Sequence, residues 1–374
     1  MAGLYVHIPF CAKKCSYCDF HFSTQFEAYR NDMVSAIVKE IELRQNEALN
    51  PLESIYFGGG TPSLLKKKEL SLILESINKY YKKKERIEVT LEANPEDVSV
   101  ENLTNWLELG INRLSIGIQS LKKEDLNWMN RGHSEQDALS SISLALKAGF
   151  KNISADLMYG LPGLTKKEWD EHLNLVVNSG ITHLSAYCLT LEKGTVLAHK
   201  VKTGNTILPE DDQIELQYNA LITKLLSAGF EQYEVSNFAY NKMYSHHNSS
   251  YWKSINYIGI GPSAHSFSAG YRRWNIANNQ VYIRSIKSGS LFHEDEVLSK
   301  KDLWNELFLT GFRTRWGVNK KQIVQFGGFS KQESILLQRL IGEGKVREEK
   351  SCYVLTSSGF LFADAIAQDF FRLS

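Results

Sequence analysis

Six short β-branched or apolar runs alternate with stretches of helical period through the first half of the chain, and nothing else in its 374 residues restricts the fold as much. Residues 4–8, 54–57, 87–92, 113–118, 153–158 and 183–189 read as strands, with amphipathic stretches such as 25–47 and 68–82 between them. Parallel strands need a crossover long enough to hold a helix, and that crossover is right-handed. Six such units in series predict an α/β fold, a parallel sheet with helices outside, curled into a partial (β/α)6 barrel of the TIM type.

Polar and glycine residues fall where these strands run out. A cysteine loop follows the first, Gly58-Gly59-Gly60-Thr61-Pro62 the second, and Glu92 to Pro95 close the third; Gln119 ends the fourth, and Asp156 to Pro162 lie in and after the fifth. Folds of this kind collect ligand-binding and catalytic groups at the carboxyl ends of their strands. One mouth of the barrel is therefore expected to carry the function.

The barrel unit is expected to occupy residues 1–230. From Pro209 the pattern changes to a helix over 212–228, a short strand around 233–235 and a glycine- and aromatic-rich region over 237–274, so a segment 231–295 is expected to extend or cover the barrel. The remainder, 296–374, reads as helix, turn and helix up to Glu343, a hairpin around 346–355 and a last helix, a winged-helix-like α+β domain. Its helix over 331–343 has no basic reading face, so it is read as a packing or docking domain and not as a nucleic-acid reader.

Forty-three Lys and Arg against 42 Asp and Glu leave a net charge of +1, so no global field draws the chain to nucleic acid or an anionic membrane. The runs 66–68 and 82–84 flank helical patterns and read as solvated helix ends. The opening residues lack the basic start of a signal peptide, and no run of about 20 apolar residues occurs, which predicts a cytoplasmic protein. Five cysteines is an odd number, and three of them lie between Cys11 and Cys18. That pattern suits ligation in a reducing compartment better than a disulfide framework. Cys188 and Cys352 stand alone and read as buried small hydrophobes.

Cys11-x-x-x-Cys15-x-x-Cys18 places three thiolates on one tight loop, where soft sulfur ligands select iron–sulfur, zinc or copper(I). Zinc completed by His7, His21 or Asp19 is the alternative that the residues alone leave open. The cysteine spacing resembles the signature of the radical S-adenosylmethionine (SAM) superfamily. That resemblance implies a 4Fe-4S cluster on Cys11, Cys15 and Cys18, with one iron left open for SAM. It further implies that Gly59, Gly60 and Thr61 approach SAM with backbone and hydroxyl groups, and that Tyr5 and Tyr17 line the pocket. Glu92 and Gln119 would meet SAM's polar groups, Arg131 its carboxylate through a planar cationic fork, and Asp156 would lie near the reaction centre.

Longer motifs narrow the resemblance. Tyr5-Val6-His7-Ile8-Pro9-Phe10-Cys11, Leu91-Glu92-Ala93-Asn94-Pro95, Ser115-Ile116-Gly117-Ile118-Gln119-Ser120, Asp156-Leu157-Met158-Tyr159-Gly160-Leu161-Pro162 and Tyr257-Ile258-Gly259-Ile260-Gly261 are similar to the oxygen-independent coproporphyrinogen III oxidase family along nearly the whole chain. Its decarboxylating branch has a further cysteine two residues beyond the third and an arm before the cluster. Here that position is Phe20, and ten residues precede Cys11. With His247-Asn248-Ser249-Ser250-Tyr251-Trp252, these departures resemble the heme chaperone branch, marked by His-Asn-x-x-Tyr-Trp. The resemblance implies heme as ligand, His247 as a candidate iron ligand, and Asn248, Tyr251 and Trp252 around the porphyrin. It implies an acceptor hemoprotein, with a membrane respiratory enzyme as candidate and a homodimer as a candidate assembly. Whether SAM is cleaved stays open. The rivals are oxidative decarboxylation of coproporphyrinogen III and a zinc-dependent binding module.

Overall fold

The computed structural model describes residues 2–48, 50–268 and 270–372. Strands β1 (Ala2–Ile8), β2 (Leu52–Gly59), β3 (Lys83–Ala93), β4 (Arg113–Gln119), β5 (Ile153–Tyr159) and β6 (His183–Cys188) pair in parallel in chain order. β1 and β6 do not pair with each other, so the parallel sheet is an open crescent, the partial barrel that the alternation predicts. β1, β4 and β5 bury nearly every residue, because one face meets the outer helices and the other the lumen.

Helices α1 (Arg30–Leu43), α2 (Lys67–Tyr80), α3 (Val100–Glu108), α4 (Lys123–Trp128), α5 (Glu135–Ala148) and α6 (Lys166–Val177) fill the crossovers. Local chemistry starts several of them: Ser134 with Asp137 and Thr165 with Glu168 form capping boxes, each tying two N-terminal amides. α1 is shorter than the periodic stretch 25–47. A 3-10 turn over Glu27–Tyr29 precedes it, and Arg44 ends it by turning into a buried network. The basic run 82–84 is solvent-exposed as expected, but Lys83 and Lys84 open β3 instead of ending a helix.

Both edges of the crescent are extended. After α7 (Val196–Lys202) and α8 (Asp211–Ser227), β7 (Phe230–Glu234) and β8 (Asn237–Tyr240) form an antiparallel pair on β6. The helix α9 (His246–Trp252) follows, then β9 (Tyr257–Ile260), parallel to β1, and the antiparallel strands β10 (His265–Ser268), β11 (Tyr271–Asn275) and β12 (His293–Val297), the last two separated by α10 (Asn279–Lys287). Glu40 of α1 locks this flank. Its fully buried carboxylate pairs with Arg44 at 3.1 Å and accepts from Tyr282 Oη at 2.6 Å, Asn275 Nδ2 at 2.7 Å and the Gly261 amide at 2.8 Å. A charge taken out of water needs such full pairing to be tolerated.

The C-terminal part has its own apolar core, built on Trp304, Phe308, Phe312, Leu337 and Phe370. α11 (Lys300–Phe312), α12 (Lys320–Gln325) and α13 (Lys331–Gly342) pack against a three-stranded sheet of β13 (Val318–Asn319), β14 (Val346–Glu348) and β15 (Cys352–Leu355). Arg313 joins it to the crescent through a 3.0 Å pair with buried Glu234.

Candidate functional site

Side chains alternate along a strand, so every second residue of the crescent faces its lumen. Tyr5, Tyr56, Glu92, Ser115 and Asp156 meet there through hydrogen bonds and ring contacts. Tyr56 donates to Glu92 Oε1 at 2.7 Å, and Ser115 donates to both carboxylate oxygens of Asp156 at 3.2 Å. Burial pushes the Glu92 carboxyl up to about 7, and Asp156 beside it pushes the same way. Asp156 is likewise raised by burial, which the Arg113 charge opposes. The Arg113 guanidinium is buried with no hydrogen-bond partner at any of its three nitrogens, leaving its charge to act on the two carboxylates.

At the carboxyl end of β4 the chain turns sharply. Gln119 takes φ +64°, a left-handed conformation rare for a non-glycine residue. A Cβ placed on Gly117 would lie 3.0 Å from Gln119 Nε2 and 3.2 Å from Arg131 Nη2, so the two side chains crowd over that glycine. Arg131 donates from Nη2 to Asn94 Oδ1 at 2.8 Å and to the Gly117 carbonyl at 2.7 Å. Its Nη1 lies 3.5 Å from Cys15 Sγ, and its buried Nε has no partner. A bidentate carboxylate bond uses Nη2 together with Nε or Nη1, and both Nη2 protons are committed here. The expected fork is thus closed, and what Arg131 still offers a ligand is its charge and single N–H groups.

The cysteine loop lies over this mouth. Thr61 Oγ1 donates to Cys11 Sγ at 3.5 Å, and the phenol of Tyr17 sits beside Cys15 and Arg131. Burial raises the Cys11 thiol to about 12 and that of Cys18 to about 11. The glycine triplet packs inward. A Cβ on Gly60 would sit 2.5 Å from the Phe10 carbonyl oxygen, and one on Gly59, at φ +108°, would strike the His7 ring. Their small size thus lets the end of β2 press against β1 and the cysteine loop. His7 Nε2 bonds the His21 carbonyl at 2.8 Å and Nδ1 the Tyr5 hydroxyl at 3.1 Å, while His21 Nε2 bonds Asn279 at 2.7 Å. Burial lowers His7 to about 4.

The motif around His247 lies at the other end of the crescent. α9 closes the amino-terminal mouth, its His246 and His247 amides each 3.0 Å from a Glu88 oxygen. His247 is 1% exposed, bonded through Nδ1 to Ser54 Oγ at 2.9 Å and through Nε2 to Tyr251 Oη at 2.8 Å, and stacked on Tyr5 and Tyr56. Burial lowers its pKa to about 3. Both ring nitrogens are hydrogen-bonded inside the barrel floor, so in this arrangement neither is presented to an iron. Trp252 is half-buried under the Arg313 guanidinium, 5.1 Å from its ring centre, and the backbone amide of Asn248 donates to the hydroxyl of Ser245, which caps α9. This set is not gathered around the cysteine loop. Cys188 is half-buried against the core, while Cys352 is buried.

Sequence reasoning missed Tyr56, Arg113, Ser115 and Asn94 as parts of the site. The inward alternation on β2 and β4 carried the signal for the first three, and Asn94 lay within a motif already quoted.

Comparison with known proteins agrees with this arrangement. The chain matches the Radical SAM superfamily over residues 5–176 and the HemN C-terminal domain over residues 298–362. It is 34% identical to the heme chaperone HemW of Bacillus subtilis, covering 98% of each chain, and 32% identical to that of Mycobacterium tuberculosis over 98% of this chain and 94% of the other. It is 39% identical to the mitochondrial radical S-adenosyl methionine domain-containing protein 1 of Danio rerio over 85% of this chain and 74% of that protein. In structure it superposes on Escherichia coli coproporphyrinogen III oxidase (HemN), a radical SAM enzyme, with a TM-score of 0.86 over 100% of this chain and 90% of that one, at 22% identity, a likeness of fold. With relatives this close over almost its whole length, the chain belongs to the heme chaperone HemW family of the radical SAM superfamily.

Proposed function

We propose that this protein is a radical SAM heme chaperone: it binds heme and passes it to an acceptor hemoprotein, from a barrel that carries a 4Fe-4S cluster on Cys11, Cys15 and Cys18. The observation that carries the reading is Phe20, two residues beyond Cys18 and 68% exposed, in a chain related along 98% of its length to proteins named heme chaperones. An apolar side chain stands where the decarboxylating branch, by resemblance, has another thiol.

The donor set supports a cluster over a single zinc ion. Zinc needs its ligands about 2.0–2.3 Å from one centre, and among the described residues no three His, Cys, Asp or Glu side chains are arranged to hold one ion. Both ring nitrogens of His7 and Nε2 of His21 are engaged elsewhere. A cluster spreads its thiolates over separate irons, and Arg131 Nη1 lies 3.5 Å from Cys15 Sγ. Cys11, Cys15 and Cys18 would hold the cluster, which would supply the one-electron chemistry available to a bound SAM.

This chain's residues then have defined tasks. Arg131 attracts the SAM carboxylate by charge and single N–H groups, and Glu92, ionised above about pH 7, attracts the ammonium. Gly60 and Thr61 spend their amides on the Ile8 and Phe10 carbonyls, at 2.9 and 2.6 Å, so an ammonium is met by carbonyl oxygens at Gly59, Gly60 and Thr61. Gln119, Tyr5 and Tyr17 complete the wall, and Asp156 faces the lumen below. In this reading the protein works in the cytoplasm, where thiols stay reduced, and no helix among the described residues is long and apolar enough to cross a membrane.

Anaerobic reconstitution tests the reading. The cluster-loaded protein is expected to bind hemin with a Soret band and to leave coproporphyrinogen III unconverted with SAM and reductant supplied. Decarboxylation without any heme band would overturn it.

A further inference from the structure

A cavity of about 420 Å3 opens between the cysteine loop and the segment that leads from β6 to α7. Its walls include Lys14, Cys18, Asp19, Phe20 and Phe22 on one side and Lys193 on the other, and none of Glu92, Gln119 or Asp156 lines it. β1 and β6 do not pair with each other, each being continued on its outer side by β9 or β8, and this cavity lies between the loop that follows β1 and the segment that follows β6. The two lips are tied where the Leu197 amide bonds the Ser16 carbonyl at 2.8 Å.

Three features define what the cavity takes. Neither Lys14 nor Lys193 is in an ion pair among the described residues, unlike Lys122 and Lys166, so two uncommitted ammonium groups line the opening with Asp19 as the one carboxylate of the lining. Phe20, at 68% exposure, leaves a large aromatic face in water beside them, a cost that a docked apolar ligand removes. The lining contains no histidine or methionine, and Cys18 is claimed by the cluster, so the usual axial ligands of heme iron are not offered there. The volume falls within the 300–1,000 Å3 of ordinary small-molecule sites.

We infer that heme docks in this cavity by its edge, with Lys14 and Lys193 taking the two propionates and Phe20 and Phe22 packing on the macrocycle. The inference rests on the heme chaperone reading and names the place and chemistry of recognition. It makes recognition depend on the carboxylates and not on the iron.

Quenching of tryptophan fluorescence in the cluster-loaded protein tests it, with hemin, iron-free protoporphyrin IX and protoporphyrin IX dimethyl ester as probes. Hemin and protoporphyrin are expected to bind within a fewfold of each other and the dimethyl ester far more weakly. The double variant Lys14→Glu, Lys193→Glu should lose on the order of tenfold or more for both acids, from two exposed charge pairs reversed, with cluster iron content unchanged. Phe20→Ser should weaken all three probes. If the unmodified protein binds hemin but the ester binds equally well and the lysine variant is unaffected, the cavity is not the site while the chaperone reading stands. If the unmodified protein binds none of the probes, both fall.

Discussion

Arg131→Ala tests whether the mouth above β4 is the SAM site. The guanidinium is buried and linked to three groups: Asn94 Oδ1 at 2.8 Å, the Gly117 carbonyl at 2.7 Å and Cys15 Sγ at 3.5 Å. Its Nε proton has no partner, so a bound carboxylate gains a donor that costs nothing to free. A hydrogen bond to a charged group contributes about 1.5–3 kcal/mol, and at about 1.4 kcal/mol per tenfold the variant should bind SAM roughly 10- to 150-fold more weakly. Arg131→Lys should also be poor, because one ammonium cannot hold Asn94 and Gly117 and still present a proton where Nε does. Titration calorimetry on cluster-loaded protein measures the loss, with iron content as the control that the Cys15 side is intact. Unchanged SAM affinity in both variants, at equal iron content, would remove Arg131 from the site and refute the reasoning.

Cys11→Ala, Cys15→Ala and Cys18→Ala should each abolish cluster assembly, whereas Cys188→Ala retains it; equal iron loss in Cys188→Ala and Cys11→Ala would mean the ligand set is misassigned. Glu92 holds its proton to about pH 7 in the fold and to about 4.5 when unfolded, so its contribution to stability declines as pH rises from about 4.5 through about 7, while attraction for the SAM ammonium grows over the upper part of that window. SAM affinity measured from pH 6 to 8 should rise, and Glu92→Gln should flatten the rise; the same slope in both would exclude Glu92. His247→Ala orphans the Ser54 and Tyr251 hydroxyls in the barrel floor and should destabilise the fold by about 1–3 kcal/mol in urea titration, with the hemin spectrum unchanged. A lost Soret band at full stability would restore His247 as a heme ligand.

The β/α alternation and the three-cysteine spacing are local patterns, legible because strand period, helix period and ligand chemistry are written in neighbouring residues. They determined the crescent, the strand ends where polar residues collect, and the three-cysteine loop. Boundaries read less well where a distant partner set them: Arg44 ends α1 because Gly259 and Ser266, over 200 residues away, accept its protons. The same holds for the site. Arg131 was visible as a cation at the right place, but only packing against Asn94 and Gly117 decided which of its protons remain for a ligand. His247 reads as a metal ligand by residue type, yet Ser54, Tyr251 and the stacked tyrosines occupy it, and those contacts exist only once α9 has folded under the strands. Phe20 was legible as the residue two beyond the third cysteine, and Lys14 stands within the loop. That Lys193 lines the same cavity follows from the segment after β6 packing on the loop after β1, where the Leu197 amide meets the Ser16 carbonyl, a long-range fact that no local pattern encodes.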